Sequence, residues 1–423
     1  MMGHFPADHR PLLEYAAMSE VAARPGRSGR LRLVALGLLS ALALGSLVAF
    51  VWPSPDPEAV WKQARAAFEA RDFARVEAEL ARLGRLREPT SLDRMLHAQL
   101  AIARGRVDEA IADLDRIPDD HSMASQARLQ IGQIELRRSR FAAAEAAFLR
   151  ALAIEPKMVK AHRELVYLYG TQLRRAELHA TFQALSELSV LTFHDAFLWC
   201  LSRGVTWEPA EIATTLARCI EADPNDRWAR LGRADALRDL GRFDEAEAVL
   251  SPLPKSDPDA RAALVRIALD QGDSARAEAL LDAGPSDHLD LALLRGRLAL
   301  VQNNAPEAVR QFRIAHDKAP NLRESVLGLG QALQAVGDQA AATPILEEAR
   351  KHERLGGLVL RASVETNRSD LGLISDLGDA CAAVGRFPEA SAWYYLAISQ
   401  DPFDTGAQWG LARLKQVKVP EAR

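Results

Sequence analysis

Few side chains in this sequence have the types and spacing that catalysis requires. His352-Glu353 begins a zinc-protease pattern, but position 356 is glycine, where a second histidine would have to complete a metal site on one helix face. Gly328-Leu-Gly330 is a fragment of a dinucleotide-binding fingerprint, but no strand precedes it. The ten histidines have no metal-ligand spacing. The sequence therefore predicts no metal site and no cofactor.

Paired carboxylates are the remaining source of acid–base chemistry. Asp119-Asp120 and the pair Asp235 and Asp239 lie in polar stretches, where a solvated surface charge is the ordinary interpretation. The sequence contains neither a phosphate-binding loop nor a Gly-x-Ser-x-Gly nucleophile elbow. We therefore expect that the chain is not an enzyme.

A 34-residue period organises most of the chain. One column of small or aliphatic residues contains Val76, Ala110, Ala144, Leu178, Ile212 and Ala246. A second column, four residues later, contains Leu80, Leu114, Phe148, Phe182, Leu216 and Leu250. A constant period of this length is typical of a solenoid, because each unit buries its apolar face only by stacking on its neighbours. The composition, rich in alanine, leucine and arginine, favours helices.

The residues within these units resemble the tetratricopeptide repeat family. The unit 125–158 shows Ile131-Gly132, Phe141, Ala144, Phe148, Ala151 and Pro156, and the unit 289–322 shows Gly296, Ala308, Phe312, Ala315 and Pro320. The resemblance implies an all-α fold, an α-solenoid that forms a right-handed superhelix of about ten helical hairpins. The predicted units start near residues 57, 91, 125, 159, 193, 227, 258, 289, 323 and 371. A last helix, roughly 405–417, is expected to cap the array.

Glycine and proline mark the ends of these helices. We expect Gly105, Gly241, Gly272, Gly337 and Gly385 to close first helices in the left-handed conformation. We expect the Asp-Pro pairs at 223–224, 257–258 and 401–402 to stop second helices, because proline cannot extend a helix.

Three segments depart from the period. The column step shortens to 31 residues from Ala246 to Ala277 and again to Ala308. Residues 357–370 are an insertion, which is either a binding loop or a lengthened helix with a loose corner. The unit 193–226 is irregular, since residues 204–209 replace its tight turn, and it is either a hinge or a contact site.

An uncharged run near the start predicts a membrane anchor. Residues 33–52 carry no charge and are long enough to span a bilayer as a helix. Arginines precede the run and an acidic, proline-rich segment follows it, so the positive-inside rule places the N-terminus in the cytoplasm and the repeats in the periplasm. We predict a cytoplasmic disordered tail (1–30), a single-pass inner-membrane helix (31–52), a Pro-rich linker (53–56) and the solenoid (57–423). A cleaved signal peptide and a buried soluble helix remain open alternatives.

The resemblance also implies where a protein or peptide partner binds. In this family the first helices line a concave groove, and the register places seven candidate partner-binding residues there: Arg137, Arg163, Tyr167, Phe197, Leu201, Trp228 and Asp235. The alternative is that Phe197 and Trp228 pack against neighbouring units. Met95, Gln99, Leu129 and Gln133 replace the basic clamp with which chaperone-binding members grip a carboxylate, so we expect no chaperone-tail binding. The formal net charge of −4 argues against nucleic acid.

The three cysteines, at positions 200, 219 and 381, form no Cys-x-x-Cys pair. Cys200 and Cys219 occupy small-residue columns on the two helices of one unit, which makes them a candidate disulfide in an oxidising compartment. The alternative is that they are buried free thiols that serve as small apolar residues.

Two functional hypotheses follow. The first is a membrane-anchored scaffold that binds a protein partner on its concave face and organises or assembles an envelope complex. The second is a periplasmic, chaperone-like accessory subunit that delivers substrates to a machine for secretion, cytochrome maturation or polysaccharide export. Stable stoichiometric complexes would favour the scaffold, and many transient ones would favour the chaperone.

Overall fold

The computed structural model describes residues 55–202 and 208–416, and over these ranges it contains helices and no strand. The first half of the described chain contains α1 (Pro57–Glu69), α2 (Phe73–Leu86), α3 (Ser91–Ala103), α4 (Val107–Asp115), α5 (Ala124–Arg137), α6 (Phe141–Ile154), α7 (Val159–Thr171), α8 (Arg175–Glu187), α9 (Phe193–Leu201) and α10 (Pro209–Ala222). The second half contains α11 (Arg227–Asp239), α12 (Phe243–Leu250), α13 (Pro258–Asp270), α14 (Ser274–Asp282), α15 (Leu289–Val301), α16 (Ala305–Lys318), α17 (Arg323–Ala335), α18 (Gln339–Ala362), α19 (Leu371–Ala383), α20 (Phe387–Gln400) and α21 (Thr405–Gln416). A short 3₁₀ helix, Glu365–Asn367, follows α18.

The chain divides into two compact units, 1–88 and 89–423. Helices α1 and α2 are the described part of the first unit, and α3–α21 are that of the second. The predicted tail, the membrane segment, residues 53–54 of the linker, residues 203–207 and the end of the chain beyond 416 lie outside the described residues. No helix in the described ranges has the length and apolar character needed to cross a bilayer.

The helix positions confirm the predicted repeat register. All ten predicted first helices are present, and each begins within one residue of its predicted start. The capping helix is also present as α21. The fold is therefore all-α and built of successive helical pairs, as the 34-residue period predicts.

The turn glycines behave as predicted, whereas one Asp-Pro pair does not. All five glycines named above have positive φ, between 72° and 82°. Asp223 and Asp401 follow the last residues of α10 and α20, in agreement with the prediction. The prediction for Asp257-Pro258 was wrong, because α12 already ends at Leu250 and Asp257 instead caps the start of α13. Its carboxylate accepts the backbone N–H groups of the first turn, and proline suits that turn because its missing N–H is not needed there.

Aromatic wedges hold neighbouring pairs together. Phe312 of α16 fills the space between Gly296 of α15 and Gly328 of α17, and a Cβ atom at either glycine would lie within 3.0 Å of its ring. Tyr394 of α20 occupies the same position between Gly378 and Gly410. In these two pairs the large residue of the second helix is thus accommodated by glycines on the helices before and after it.

The insertion at 357–370 mainly lengthens a helix. Helix α18 has 24 residues, where the other first and second helices have at most 14. Its additional turns bury Leu355, Leu358, Val359 and Ala362 in a cluster with α19 and α20. The lengthened-helix alternative is therefore the one that the structure adopts.

Helices α9 and α10, which we call the opened pair, depart most from the repeat. Helix α9 packs mainly against α8, α18 and α20, while α10 packs against α11 and approaches α7. The two helices of this unit therefore separate, and the first of them reaches residues almost two hundred positions later in the chain. Of the two predicted roles for this unit, hinge or contact site, the structure shows a contact site within the chain.

Candidate functional site

The start of α9 is fixed by local hydrogen bonds and by one arginine. Thr192 and Asp195 form a capping box, in which the Thr192 N–H donates to the Asp195 carboxylate at 2.8 Å and the Asp195 N–H donates to the Thr192 hydroxyl at 3.2 Å. Arg163 of α7 donates to Asp195 at 3.2 Å and to the Val190 carbonyl at 3.1 Å. Arg163, predicted as a partner-binding residue, therefore anchors α9 to α7.

One face of α9 meets the C-terminal repeat. The Phe193 ring lies edge-on to that of Trp393, with centroids 5.3 Å apart. The Trp393 indole N–H points at the Cys200 sulfur at 3.3 Å, and that sulfur lies 3.8 Å from the sulfur of Cys381. We call these four residues the closure contact. They tie α9 to α19 and α20, so the array of pairs bends back on itself within the second unit.

A second face of α9 packs against α8 through Trp199. The Trp199 indole N–H donates to Nδ1 of His179 at 2.8 Å, and its ring stacks on Phe182 with centroids 5.7 Å apart. The His179 imidazole also lies 3.9 Å from the buried carboxylate of Glu389 in α20. Helix α9 is thus held in place by α8 and by the C-terminal repeat together.

The separation of α9 from α10 leaves a cavity of about 310 Å³, which we call the α7–α10 cavity. A volume of this size suits one or two large apolar side chains or a small ligand. Its apolar lining comes from Val166, Tyr167, Leu173, Leu178, Phe182, Leu198, Leu201 and Ile212, and its other lining residues are Gly170, Thr171, Arg175, Ser202, Glu208, Glu211 and Thr215.

Polar groups at the rim surround the apolar interior. Tyr167 is 52% exposed, and its aromatic ring stands at the mouth of the cavity. The Arg175 side chain donates to the Ser202 carbonyl at 3.1 Å, which ties α8 to the end of α9. Glu208 and Glu211 contribute acidic groups at the start of α10. The arrangement suits the burial of an apolar group whose neighbouring atoms are positively charged or donate hydrogen bonds.

Of the seven predicted partner-binding residues, the structure brings Tyr167 and Leu201 together at the cavity. Phe197 is half-buried, and it stacks on Phe193 and packs against the C-terminal repeat. Arg137 is exposed at the end of α5. Asp235 forms ion pairs with Arg238 at 3.4 Å and Arg266 at 3.7 Å.

Trp228 is placed between two guanidinium groups rather than on an open surface. The Arg174 and Arg227 guanidinium carbons lie 4.5 and 4.4 Å from the centre of its ring. Arg174 is buried and donates to Glu145 at 2.6 Å and to Glu177 at 2.8 Å. Burial lowers the pKa of Arg174, but its bonds to these two glutamates outweigh that effect and leave the pKa raised. For Phe197 and Trp228 the structure therefore shows the packing alternative.

Sequence reasoning missed Phe182, Leu198 and Ile212 as cavity residues and Arg174 as the residue that joins α6, α8 and α11. Phe182 and Ile212 lie in the two repeat columns, where they are expected to be buried between neighbours. The sequence signal that could have located Phe182 and Ile212 was the loss of the tight-turn pattern after α9. A first helix that separates from its second helix exposes the repeat-column residues of the neighbouring helices.

The cysteines do not pair as the sequence columns suggest. Cys200 faces Cys381 in the closure contact, whereas Cys219 lies with Leu216 in the cluster around α7 and α8. All three are free thiols in the structure. Burial, and then the nearby charge of Asp226, raises the pKa of the Cys219 thiol to about 12. Cys219 therefore behaves as a small apolar residue, which is the free-thiol alternative.

Comparison with protein-family models identifies tetratricopeptide repeats in four segments. Models described as tetratricopeptide repeat match residues 95–158, 208–263, 262–323 and 324–348, which together cover just under half of the chain. These segments lie on both sides of α7, α8 and α9. No curated protein is significantly similar to the chain.

Solved structures also resemble the chain, at low sequence identity and low TM-score. A tetratricopeptide repeat protein from Parabacteroides merdae is 17% identical, with 57% of this chain and 98% of that chain covered and a TM-score of 0.32. The APC/C hetero-tetramer Cut9–Hcn1 gives 15% identity, 92% and 96% coverage and a TM-score of 0.36. PilF of Pseudomonas aeruginosa gives 16% identity, 50% and 96% coverage and a TM-score of 0.27. At these TM-scores the likenesses support no inference about this chain.

Proposed function

We propose that the chain is a scaffold that binds a protein partner through the α7–α10 cavity and so organises a protein complex. Tetratricopeptide repeats are protein-interaction repeats, and the segments that match them lie before and after the cavity-lining residues 166–202 in the sequence. The observation that carries the proposal is the cavity itself, which is apolar inside, open at one side and bordered by an exposed tyrosine. Tyrosine is enriched at interface centres because it supplies a large contact area with little loss of side-chain entropy.

The cavity favours a polypeptide with an apolar anchor residue. Its volume is comparable to one or two large side chains, and its apolar lining residues, such as Phe182 and Leu198, offer van der Waals contacts. Glu211 lies at its rim and favours a basic residue beside that anchor. The partner that fits this chemistry carries a leucine or aromatic side chain next to lysine or arginine.

The proposal includes attachment to a bacterial inner membrane with the repeats in the periplasm. Its support is the uncharged run 33–52 with arginines before it and acidic residues after it. Fusion of alkaline phosphatase to the C-terminus of the full chain should give an active enzyme, because that reporter folds only outside the cytoplasm. An active β-galactosidase fusion at the same site would place the repeats in the cytoplasm and overturn this part of the proposal.

A cavity-filling variant tests the binding site. Gly170 lines the cavity, and a Cβ atom added there would meet no other atom within 4 Å. Gly170→Leu should therefore occupy the cavity mouth without disturbing the helix. Gly357→Leu is the matched control, since Gly357 is also helical, exposed and free of neighbours within 4 Å.

The measurement is quantitative co-purification from solubilised membranes, with the wild-type chain and the three variants Gly170→Leu, Tyr167→Ala and Gly357→Leu at equal expression. We expect partners to be lost with Gly170→Leu and with Tyr167→Ala, and retained with Gly357→Leu. Equal recovery of the same partners by all four proteins would show that the cavity is not the binding site. Circular dichroism of the purified variants verifies that their helix content is unchanged.

A further inference from the structure

We propose that Cys200 and Cys381 form a reversible disulfide that fixes α9 to the C-terminal repeat. The two residues are 181 positions apart in the sequence, and only the return of α9 to α19 and α20 brings them together. Their sulfur atoms are 3.8 Å apart. A disulfide bond is about 2.05 Å long, so the two sulfurs need to approach by less than about 2 Å.

The two thiols have different surroundings, which gives each a distinct role. The Trp393 indole N–H donates to the Cys200 sulfur at 3.3 Å and so fixes the position of that sulfur. Cys200 is 6% exposed, whereas Cys381 is fully buried. The contact with Cys200 and burial raise the pKa of Cys381 well above its usual value. Cys200 is therefore the sulfur that attacks first, and Cys381 is the sulfur that resolves the intermediate.

The oxidant that the reaction requires is a low-molecular-weight disulfide such as oxidised glutathione. The Cys200 thiolate attacks one sulfur of that disulfide, a mixed disulfide forms, and one small thiolate leaves and takes up the proton that Cys200 released. Cys381 then loses its proton and attacks the Cys200 sulfur, and the second small thiolate leaves and accepts that proton. Two protein thiols are oxidised to one disulfide, and the small disulfide is reduced to two thiols.

The bond would act on the cavity through α9. Phe193, Ala196 and Cys200 lie on the face of α9 that meets the C-terminal repeat, while Leu198 and Leu201 line the α7–α10 cavity. A covalent link at Cys200 therefore restricts the motion of the cavity wall. This consequence for partner binding rests on the proposed function, but formation of the disulfide does not.

Peptide mapping tests the disulfide directly. The purified full chain is incubated with oxidised glutathione, free thiols are alkylated, and the tryptic digest is analysed without reduction. Trypsin places the three cysteines in separate peptides, 176–203, 219–227 and 369–386. We expect 176–203 to be linked to 369–386 and 219–227 to be alkylated. A link between 176–203 and 219–227, or alkylation of all three cysteines, would overturn the proposal.

Three variants distinguish the assigned roles. Cys219→Ser should leave the cross-link unchanged, and Cys381→Ser should stop the reaction at the mixed disulfide of Cys200. Trp393→Phe keeps the ring but removes the N–H donor, so we expect the cross-link to form more slowly. Hydrogen exchange of α9 in the oxidised and reduced chains then reports whether the bond fixes the helix. Equal exchange rates would contradict that fixing role even if the bond forms.

Discussion

The pair α15–α16 and the opened pair α9–α10 show two ways in which one repeat pattern is used. In the first, the Phe312 ring is enclosed by glycines of the preceding and following helices, so these close contacts join helices that are adjacent in the sequence. In the second, α9 obtains its contacts from α8 and from a repeat near the end of the chain. A solenoid is usually stabilised by nearest-neighbour contacts alone. In the opened pair, contacts with residues far away in the sequence replace some of these nearest-neighbour contacts, and a cavity remains between the separated helices.

The repeat array continues past the opened pair because residues of the turn after α7 contact α11 and the residue that caps it. The Gln172 amide lies 3.3 Å from the Asp226 carboxylate, and a Cβ atom at Gly232 would be 2.7 Å from the Gln172 carbonyl oxygen. Arg174 adds its contact with Trp228. These contacts link the turn between α7 and α8 to α11, so the array stays joined although α9 packs elsewhere.

The largest expected effect comes from removing Arg174. Arg174→Ala removes the charged donor of Glu145 and Glu177 and the guanidinium group from Trp228. Glu145 then keeps only the hydrogen bond from the Tyr169 hydroxyl among these contacts, so the free energy of unfolding should fall by about 3–5 kcal/mol. Urea unfolding followed by circular dichroism measures the change. Arg242→Ala, which removes an exposed ion pair with Glu245, is the control and should leave the midpoint unchanged. Equal unfolding midpoints for the two variants would mean that the link between the turn after α7 and α11 does not depend on Arg174.

A glycine substitution in the regular pair should have the next largest effect. Gly328→Ala places a methyl group against the Phe312 ring, and we expect a loss of about 1–3 kcal/mol from overpacking. Gly356→Ala, in an exposed part of α18 with open space around it, should instead stabilise the chain by about 0.5–1 kcal/mol. Urea unfolding of the two variants measures both changes in the free energy of unfolding. If the two substitutions have the same sign, the wedge is not closely packed.

The stability of the folded chain should depend on pH through two histidines, His352 and His97, with opposite signs. His352, in the long helix α18, is buried, and its pKa is lowered to about 4 by burial and by the charges of Arg386 and Arg323. Between about pH 6.5 and 4 the unfolded chain binds a proton that the folded chain does not, so stability falls as the pH falls. His352→Leu should reduce that loss by about 1–3 kcal/mol at pH 4.5. An unchanged pH profile would argue against burial of the imidazole.

His97, in the regular pair α3–α4, gives the smallest effect. Its hydrogen bond to Asp113 is the main cause of a raised pKa, although partial burial opposes it. The stabilisation is therefore fully present below the unfolded pKa and is lost as the pH rises through the folded pKa. Because the side chain is more than a third exposed, His97→Asn should remove only a few tenths of a kcal/mol at pH 5. Thermal unfolding of His97→Asn and of the wild-type chain at pH 5 and pH 8 measures the loss of stability. An equal loss at both pH values would contradict a raised pKa of His97 as its cause.

The sequence predicted the local structure well because local structure depends on local periodicity. The starts of the ten first helices, the glycine turns and the aromatic wedge at Phe312 all follow from residue types that repeat at a fixed spacing. The separation of α9 from α10 could not be predicted in the same way. It depends on Phe193 and Cys200 meeting Trp393 and Cys381, and no periodic pattern relates positions so far apart.

The candidate site was predicted only in part for the same reason. Tyr167 and Leu201 were identified from their register on first helices, and both line the cavity. Arg163, Trp228 and Asp235 share that register, but each contacts a residue of a neighbouring helix instead. Register indicates which face a residue occupies, whereas the partner that it contacts on that face depends on how the pairs are arranged in space.

Hydrogen exchange of a Trp393→Ala variant tests the central claim, that α9 leaves its pair and is held by the C-terminal repeat. We predict that amide protection falls in α9 as well as in α19 and α20, and that α10 retains its protection because it packs against α11. Loss of protection confined to α19–α21, with α9 exchanging as in the wild-type chain, would contradict the account.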